Sequence, residues 1–471
     1  MILYNTLTKK NEEFTPIKDK EIKMYECGPT VYDFIHIGNA RPMCVFDSLR
    51  RYFLYLGYNV TFAQNFTDVD DKIINKAKIQ NKTCKEIADE FIAEYYTDAQ
   101  GLNIIPATYA PKATETIENI QKIIQKLCEL NMAYCKDGTV YFRAKRFKEY
   151  GKLSGMPIDE LNAGARVEIN TNKEDSLDFA LWKAAKPGEI YWPSLWGNGR
   201  PGWHIECSAM IDKIFGTTID IHCGGQDLIF PHHENEIAQS VTYSGVNLAN
   251  YWLHNGHINI SGNKMSKSAG NFFTVREIAQ KYGYMPIRLM MLQSHYRTPI
   301  NYSEEIMAQN LSALERVNSC REALQDAIKK PKNASNTSSS IKIERLAKFK
   351  EQFKYELDND FNTAGALGVL FNMVKEINTT CFLNKMLNPS YVKMAYEQLE
   401  EFLYILGLNL DELKIKVELE IQKLIDARQE ARKNKDFKTA DEIRSKLQEL
   451  GIILEDTATG VKIKKLGGNK K

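Results

Sequence analysis

The chain has 471 residues, 43% of them hydrophobic and 26% charged, with a net charge of +2. That is the profile of a soluble globular protein of about three domains. No run of about 18 apolar residues appears, so no membrane span is expected, and the opening MILYNTLTKKNEEFTP lacks the apolar core of a signal peptide. The nine cysteines are scattered and odd in number; no spacing among them suggests a disulfide framework, so a reducing cytoplasm with free or metal-bound thiols is expected. A charge near zero leaves nucleic-acid binding open, because a local basic face can sit on a neutral protein.

Residues 20–26 (KEIKMYE) read as a strand entering a Cys-Gly-Pro-Thr turn. From Gly38 to Leu56 the pattern is helical, with Val45, Phe46, Leu49, Phe53 and Leu56 on one face. Residues 58–64 (YNVTFAQ) read as a strand again. Strand, turn, helix and strand make a βαβ unit whose nucleotide site lies at the first turn. The pattern changes near 111: an amphipathic helix over 112–132, strand-like GTVYFRA, then a turn-rich stretch to 201 suggest an insertion. Six of the eight histidines fall between 204 and 257. From about 303 the chain is helical, interrupted by KKPKNASNTSSS (329–340), which reads as a loop. The last unit, 411–471, has a charged helical stretch and then GIILEDTATGVKIKK, a short β-hairpin.

Two stretches suit a nucleotide. His36-Ile37-Gly38-Asn39 opens the first helix, where unpaired N–H groups and a partial positive charge favour phosphate. Gly38 admits close backbone approach, and His36 is placed to donate to a phosphate oxygen. Alone, such a turn is more often only a turn. Lys264-Met265-Ser266-Lys267-Ser268 lies in a Gly/Ser/Asn-rich loop, and two lysines three apart there could close on a triphosphate. Alone, it reads as a solvated basic loop.

Together and in this order, the two stretches resemble the paired signatures of the class I aminoacyl-tRNA synthetases. The first signature usually ends in His, and Asn39 stands there instead; Asn still hydrogen-bonds as a neutral group. In the family the second lysine, here Lys267, contacts the phosphates.

Three more stretches narrow the resemblance: Tyr25-Glu26-Cys27-Gly28-Pro29-Thr30, Gly202-Trp203-His204-Ile205-Glu206-Cys207-Ser208 and Phe230-Pro231-His232-His233-Glu234-Asn235-Glu236. His232 and Glu236 are i, i+4, so they share a helix face and can bind one metal, with Pro231 placed as the first helical residue. Cys27 and Cys207 are too far apart in sequence for spacing to join them, and each read alone is a buried thiol. The three stretches resemble those of the cysteinyl-tRNA synthetase family. That resemblance implies one active-site Zn2+ on Cys27, Cys207, His232 and Glu236, with His233 and Glu234 facing elsewhere. It also implies a cysteine pocket lined by Thr67, Trp203, His222 and Asp227; their plainer readings are a helix cap, a core aromatic, a satisfied histidine and a turn residue. Cys223 stands where the family commonly has glycine.

The implied reaction is ATP- and Mg2+-dependent activation of cysteine and its transfer to tRNA(Cys). His36, Asn39 and Lys267 would be catalytic, and Gly38 and Lys264 would also bind ATP. Zinc explains the choice of cysteine over serine, since thiolate is the softer and more acidic ligand. A ten-thousand-fold preference needs only ~5.5 kcal/mol.

The implied fold is α/β: a Rossmann-like parallel-sheet catalytic domain in two halves (1–110 and 202–260) around a connective insertion (111–201). The KMSKS loop and stem-contact region (261–315), a helical bundle (316–410) and a mixed anticodon-binding module (411–471) follow. Asp358-Asn359-Asp360-Phe361-Asn362-Thr363-Ala364 resembles the bundle motif, and residues 435–465 resemble the terminal module. A monomer is expected. The rivals are a cysteine:glucosaminyl-inositol ligase, which lacks the full anticodon-binding end, and a non-catalytic RNA-binding protein with a closed zinc site.

Overall fold

The computed structural model describes residues 1–155, 172–216, 218–260, 263–264, 273–329, 339–383, 388–411, 423–432, 434, 436–449, 452–457 and 460–465. The chain divides into two compact units, Met1–Leu408 and Asn409–Lys471.

The first unit opens with a hairpin, β1 (Ile2–Asn5) and β2 (Lys10–Glu13), which the sequence pattern did not reveal. The expected βαβ unit follows as β3 (Glu21–Glu26), α1 (Ile37–Tyr55) and β4 (Asn59–Gln64), with β3 and β4 parallel. Val45, Phe46, Leu49 and Phe53 are buried as the periodicity requires, and so is most of the rest of α1. Next come α2 (Asp71–Gln80), α3 (Cys84–Gly101) and α4 (Ile117–Glu129). The helix expected over 112–132 is shorter, with a separate turn at Ala113–Glu115 before it. The buried stripe of α4, Ile117, Ile120, Ile123, Ile124 and Leu127, contributes about 1.5–3 kcal/mol per side chain.

The stretch read as turn-rich holds an antiparallel sheet of β5 (Ala133–Lys136), β6 (Thr139–Phe142), β7 (Phe179–Ala184) and β8 (Gly199–Pro201), in that order. Its Phe142, Leu181 and Trp182 share one apolar core with α4 and with Ile205, Met210 and Trp252 of the parallel-sheet part. Then come α5 (Trp203–Phe215), β9 (Ile219–Gly225), α6 (Glu234–Ser244) and β10 (Ala249–Asn255).

The central sheet runs β10-β9-β3-β4, and every neighbouring pair is parallel. From β3 the chain moves one way to β4. From β9 it moves the other way to β10. The crevice between the carboxyl ends of β3 and β9 is therefore the topological switch point, where such sheets bind ligands. Cys27 leaves β3 there, its N–H bonded to the Cys223 carbonyl at 3.3 Å. Gly28 comes next, and a Cβ on it would lie 1.7 Å from the Asn65 carbonyl oxygen. Only glycine lets the exits of β3 and β4 pass so closely.

Beyond the sheet lie β11 (Ile258–Ile260), β12 (Asn263–Lys264), α7 (Val275–Tyr282), α8 (Tyr284–Leu292) and β13 (Ile300–Tyr302). Helices α9 (Glu304–Lys329), α10 (Ser339–Asp358), α11 (Thr363–Ile377) and α12 (Pro389–Leu406) complete the unit. Most of the Ser/Asn-rich segment between α9 and α10 lies outside the described residues.

Two charge networks, the first fully buried, tie these helices to the parallel-sheet part. Arg288 of α8 donates to Asp47 of α1 at 2.5 Å and to the Leu406 carbonyl at 2.8 Å. In the DNDFNTA stretch, Asp360 accepts from Arg297 at 2.5 Å and from the Tyr4 N–H at 2.8 Å. Removing one partner of the fully buried Arg288–Asp47 pair costs about 3–5 kcal/mol. Among the described residues no helix is long and apolar enough to cross a membrane. In the second unit α13 (Phe437–Glu449) precedes an antiparallel pair, β14 (Ile452–Thr457) and β15 (Gly460–Lys465), where the hairpin was expected.

Candidate active site and metal centre

Three segments distant in sequence meet at the switch point. Cys27 follows β3, Cys207 sits on α5, His232 lies just before α6, and Glu236 is in the first turn of α6. Their donor atoms all lie within 4.8 Å of one another. Cys207, His232 and Glu236 are buried and Cys27 is half-buried. One local expectation needs correcting. Pro231 does not open α6; it lies in an irregular π turn, Ile229–His233, broken by extended Phe230. The kink still leaves His232 Nε2 at 3.0 Å from Glu236 Oε1.

The distances suit zinc. With bonds of about 2.3 Å to sulfur and 2.0–2.1 Å to nitrogen or oxygen, tetrahedral edges are about 3.8 Å between sulfurs, 3.6 Å from sulfur to the lighter donors and 3.3 Å between those. The structure has Cys27 Sγ–Cys207 Sγ at 3.7 Å, Cys207 Sγ–His232 Nε2 at 3.5 Å and Cys27 Sγ–Glu236 Oε1 at 3.5 Å. The electrostatics separate the two thiols. The hydrogen bond from Cys27 draws the Cys207 thiol down to about 6 against its burial, while burial pushes Cys27 well up. Burial opposes charge on Glu236, yet His222 and His232 hold its carboxyl well below the usual range.

A second quartet, Cys27, His222, His233 and Glu236, also satisfies the distance criterion. His233 is nearer than its expected place on another helix face, with Nε2 3.3 Å from Cys27 Sγ. Ligating histidines almost always bond through their other nitrogen. His232 does so, Nδ1 to Nδ1 of His204 at 2.9 Å. His222 meets Glu236 through Nε2 at 2.9 Å, and its Nδ1 is buried with no partner. That arrangement suits a residue steering the Glu236 carboxylate better than a ligand. His233 Nδ1 continues to His254 at 2.8 Å, and His254 to Thr6 at 2.9 Å. Burial holds His204, His233 and His254 well down, as neutral imidazoles. His204 and His254 were given no role from sequence, and His233 only a place away from the metal; the clustering of histidines over 204–257 was their signal.

The remaining candidates divide into two groups. A cavity of about 390 Å³ is bordered by Cys27, His36, Gly38, Asn39, Trp203 and Asp227. The His36–Asn39 turn and the Cys/His/Glu cluster thus border one space. Trp203 is 40% exposed and stacks on His232 at 4.2 Å. Asn39 Oδ1 accepts the His36 N–H at 3.1 Å, so it closes the start of α1 as a reciprocal cap. Its NH2 is a separate donor. Pro42 has no N–H, which leaves the Gly38 carbonyl without its helical donor.

Thr67 and His222 sit deeper, both buried. The Thr67 hydroxyl donates to Glu206 at 2.6 Å; the cap of α2 is Asp70 instead. Cys223 is turned away from the cluster, its thiol donating to the Tyr25 carbonyl at 3.4 Å. The Lys264 backbone pairs with Asn259. Lys267 lies outside the described residues.

Residues 13–312 match the family described as tRNA synthetases class I (C) catalytic domain, residues 352–411 a DALR domain, and residues 416–463 a cysteinyl-tRNA ligase anticodon binding domain. Solved structures share the fold. A Mycobacterium tuberculosis methionyl-tRNA synthetase in complex with methionyl-adenylate superposes with TM-score 0.64 at 14% identity, over 82% of this chain and 91% of that one. A putative arginyl-tRNA synthetase from Campylobacter jejuni superposes with TM-score 0.58 at 13% identity, over 83% and 94%. Parallel sheet, switch-point cavity and helix-start turn are those of a class I aminoacyl-tRNA synthetase. A cysteine–tRNA ligase from Caldicellulosiruptor saccharolyticus is 52% identical over 469 residues, 99% of this chain and all of that one. The chain belongs to the cysteinyl-tRNA synthetase family.

Proposed function

We propose that this chain joins cysteine to AMP with ATP and Mg2+, then transfers the cysteinyl group to the 3′ end of tRNA(Cys), with one Zn2+ on Cys27, Cys207, His232 and Glu236 selecting the substrate. The observation that carries the zinc reading is the quartet of donors at tetrahedral spacing beside the cavity that holds the nucleotide turn. Bound there, zinc supplies a soft Lewis acid that favours thiolate sulfur over a hydroxyl.

The protein's own groups do the rest by positioning and charge stabilisation. The cysteine carboxylate attacks the α-phosphate and pyrophosphate leaves; the tRNA ribose then displaces AMP. His36, the N–H groups at Gly38 and the Asn39 amide receive phosphate at the start of α1, and Lys264 and Lys267 neutralise the departing pyrophosphate. Trp203 and Asp227 border the amino-acid end of the cavity, with Thr67 and His222 supporting it from behind. His222 orients Glu236, and His204 orients His232.

A cavity bordering Cys27 speaks against a closed structural zinc. The match over 416–463 to an anticodon binding domain favours tRNA over an amino sugar. The domain division given above, a monomeric state and a cytoplasmic location belong to the same reading. Cysteine-dependent charging of tRNA(Cys), set against ligation to glucosaminyl-inositol, tests it: product on the amino sugar alone would overturn it. Truncation after 408 should leave ATP–pyrophosphate exchange largely intact and abolish most charging; equal losses would make the tail structural.

A further inference from the structure

Arg41 lies in α1, two residues after Asn39, and has no exposed surface. Burying a guanidinium is costly unless its charge and its donors are met. Arg288, the other arginine with no exposed surface, meets Asp47. Arg41 meets no carboxylate among the described residues, and burial draws its guanidinium down to about 10.

Its bonds go to backbone carbonyls instead. Nη1 donates to Gly256 at 2.8 Å and His257 at 3.0 Å, and Nη2 to His295 at 3.3 Å and Thr298 at 2.5 Å. A planar fork with fixed donor directions can hold several acceptors in register, which a point charge on a flexible stem cannot.

The four carbonyls belong to two stretches. Gly256 and His257 follow β10 and border the same cavity as Gly38 and Asn39. His295 and Thr298 lie between α8 and β13 and do not border it. The two stretches are pinned together. The Gly256 N–H donates to the Tyr296 carbonyl at 2.8 Å, and the Ile300 N–H to the His257 carbonyl at 3.0 Å. A Cβ on Gly256 would lie 2.7 Å from the Thr298 carbonyl carbon. Arg41 thus ties two borders of the cavity to each other and to a backing turn outside it. The metal donors are carried by other elements, β3, α5 and α6 with the turn before it.

We infer that Arg41 is a positioning residue for the nucleotide: its guanidinium fixes Gly256–His257 against the start of α1 and so sets the affinity for ATP. This rests on the nucleotide reading given above.

Arg41→Lys keeps the charge and loses the fork. In the full chain it should raise the KM for ATP in cysteine-dependent pyrophosphate exchange about tenfold, or ~1.4 kcal/mol. The KM for cysteine and the zinc content should not change. A role in folding alone would lower the active fraction, and with it the apparent kcat, without moving either KM. Gly256→Ala displaces the same wall from behind and should also raise the KM for ATP. Amide exchange in the unaltered chain decides the matter should neither variant fold. A non-hydrolysable ATP analogue should then slow exchange over 295–300, outside the cavity, as well as over 255–258. An unchanged KM for ATP in folded Arg41→Lys, an equal rise in the KM for cysteine, or protection confined to 255–258 would overturn the inference. No cysteine-dependent exchange in the unaltered chain would instead defeat the catalytic reading.

Discussion

Cys27, Cys207, His232 and Glu236 come from the end of a strand, a helix, an irregular turn and the helix after it, whereas His36, Gly38 and Asn39 are near neighbours in one helix start. The two groups border one cavity. The metal side is held from behind, with His204 on His232 and His222 on Glu236. The nucleotide side is half-buried, and its local hydrogen bond closes within four residues. The difference matches the tasks proposed for them. Choosing sulfur over oxygen requires donors that do not yield, because a ligand set that relaxes around either atom discriminates poorly. Handling a triphosphate requires an open edge through which charge enters and leaves.

The sharpest break of that contrast is Cys207→Ser. It should remove the metal and lower cysteine activation by about a thousandfold or more, beyond the 10–100-fold typical of outer partners; metal analysis with pyrophosphate exchange checks it. Zinc content and exchange both unchanged would defeat the ligand assignment. Lys267→Ala should slow adenylate formation by about 10²–10³-fold, the scale of a lost transition-state donor, with zinc retained. Full activity would take Lys267 out of the mechanism.

His204→Ala should weaken metal affinity by about 10–100-fold through the misdirected His232 ring, read by competition with a chelator; wild-type affinity would make the His204–His232 contact incidental. Asn39→Ala should cost about 1 kcal/mol of stability as a lost cap and also raise the KM for ATP. A stability loss with unchanged KM would leave Asn39 as a helix cap only. If neither side of the cavity responds as described, the division between a rigid selector and an open phosphate edge fails.

Much of this organisation was legible in the residues. The βαβ unit, the long α1 and the terminal hairpin follow from short-range periodicity and turn chemistry. The hairpin β1–β2 was not, since Lys10–Glu13 carries no apolar alternation. Nor was the β5–β8 sheet as a whole, because its strands are three to six residues long and separated by Gly/Pro turns. The i, i+4 spacing of His232 and Glu236 announced a shared ligand pair, but the π turn at Pro231 was not written in that spacing.

By itself the sequence determined which residues carry chemistry, through local order: a His, a Gly and an Asn together at a helix start, and carboxylate and imidazole four apart. Tertiary structure alone decided that Cys27 and Cys207 share a centre, that His222 steers Glu236 through a ring whose other nitrogen is unpaired, and that Cys223 turns away. Those outcomes depend on how parallel strands β3 and β9 are laid side by side. Strand pairing across some two hundred residues is set by the burial of whole surfaces, which no short window of sequence records.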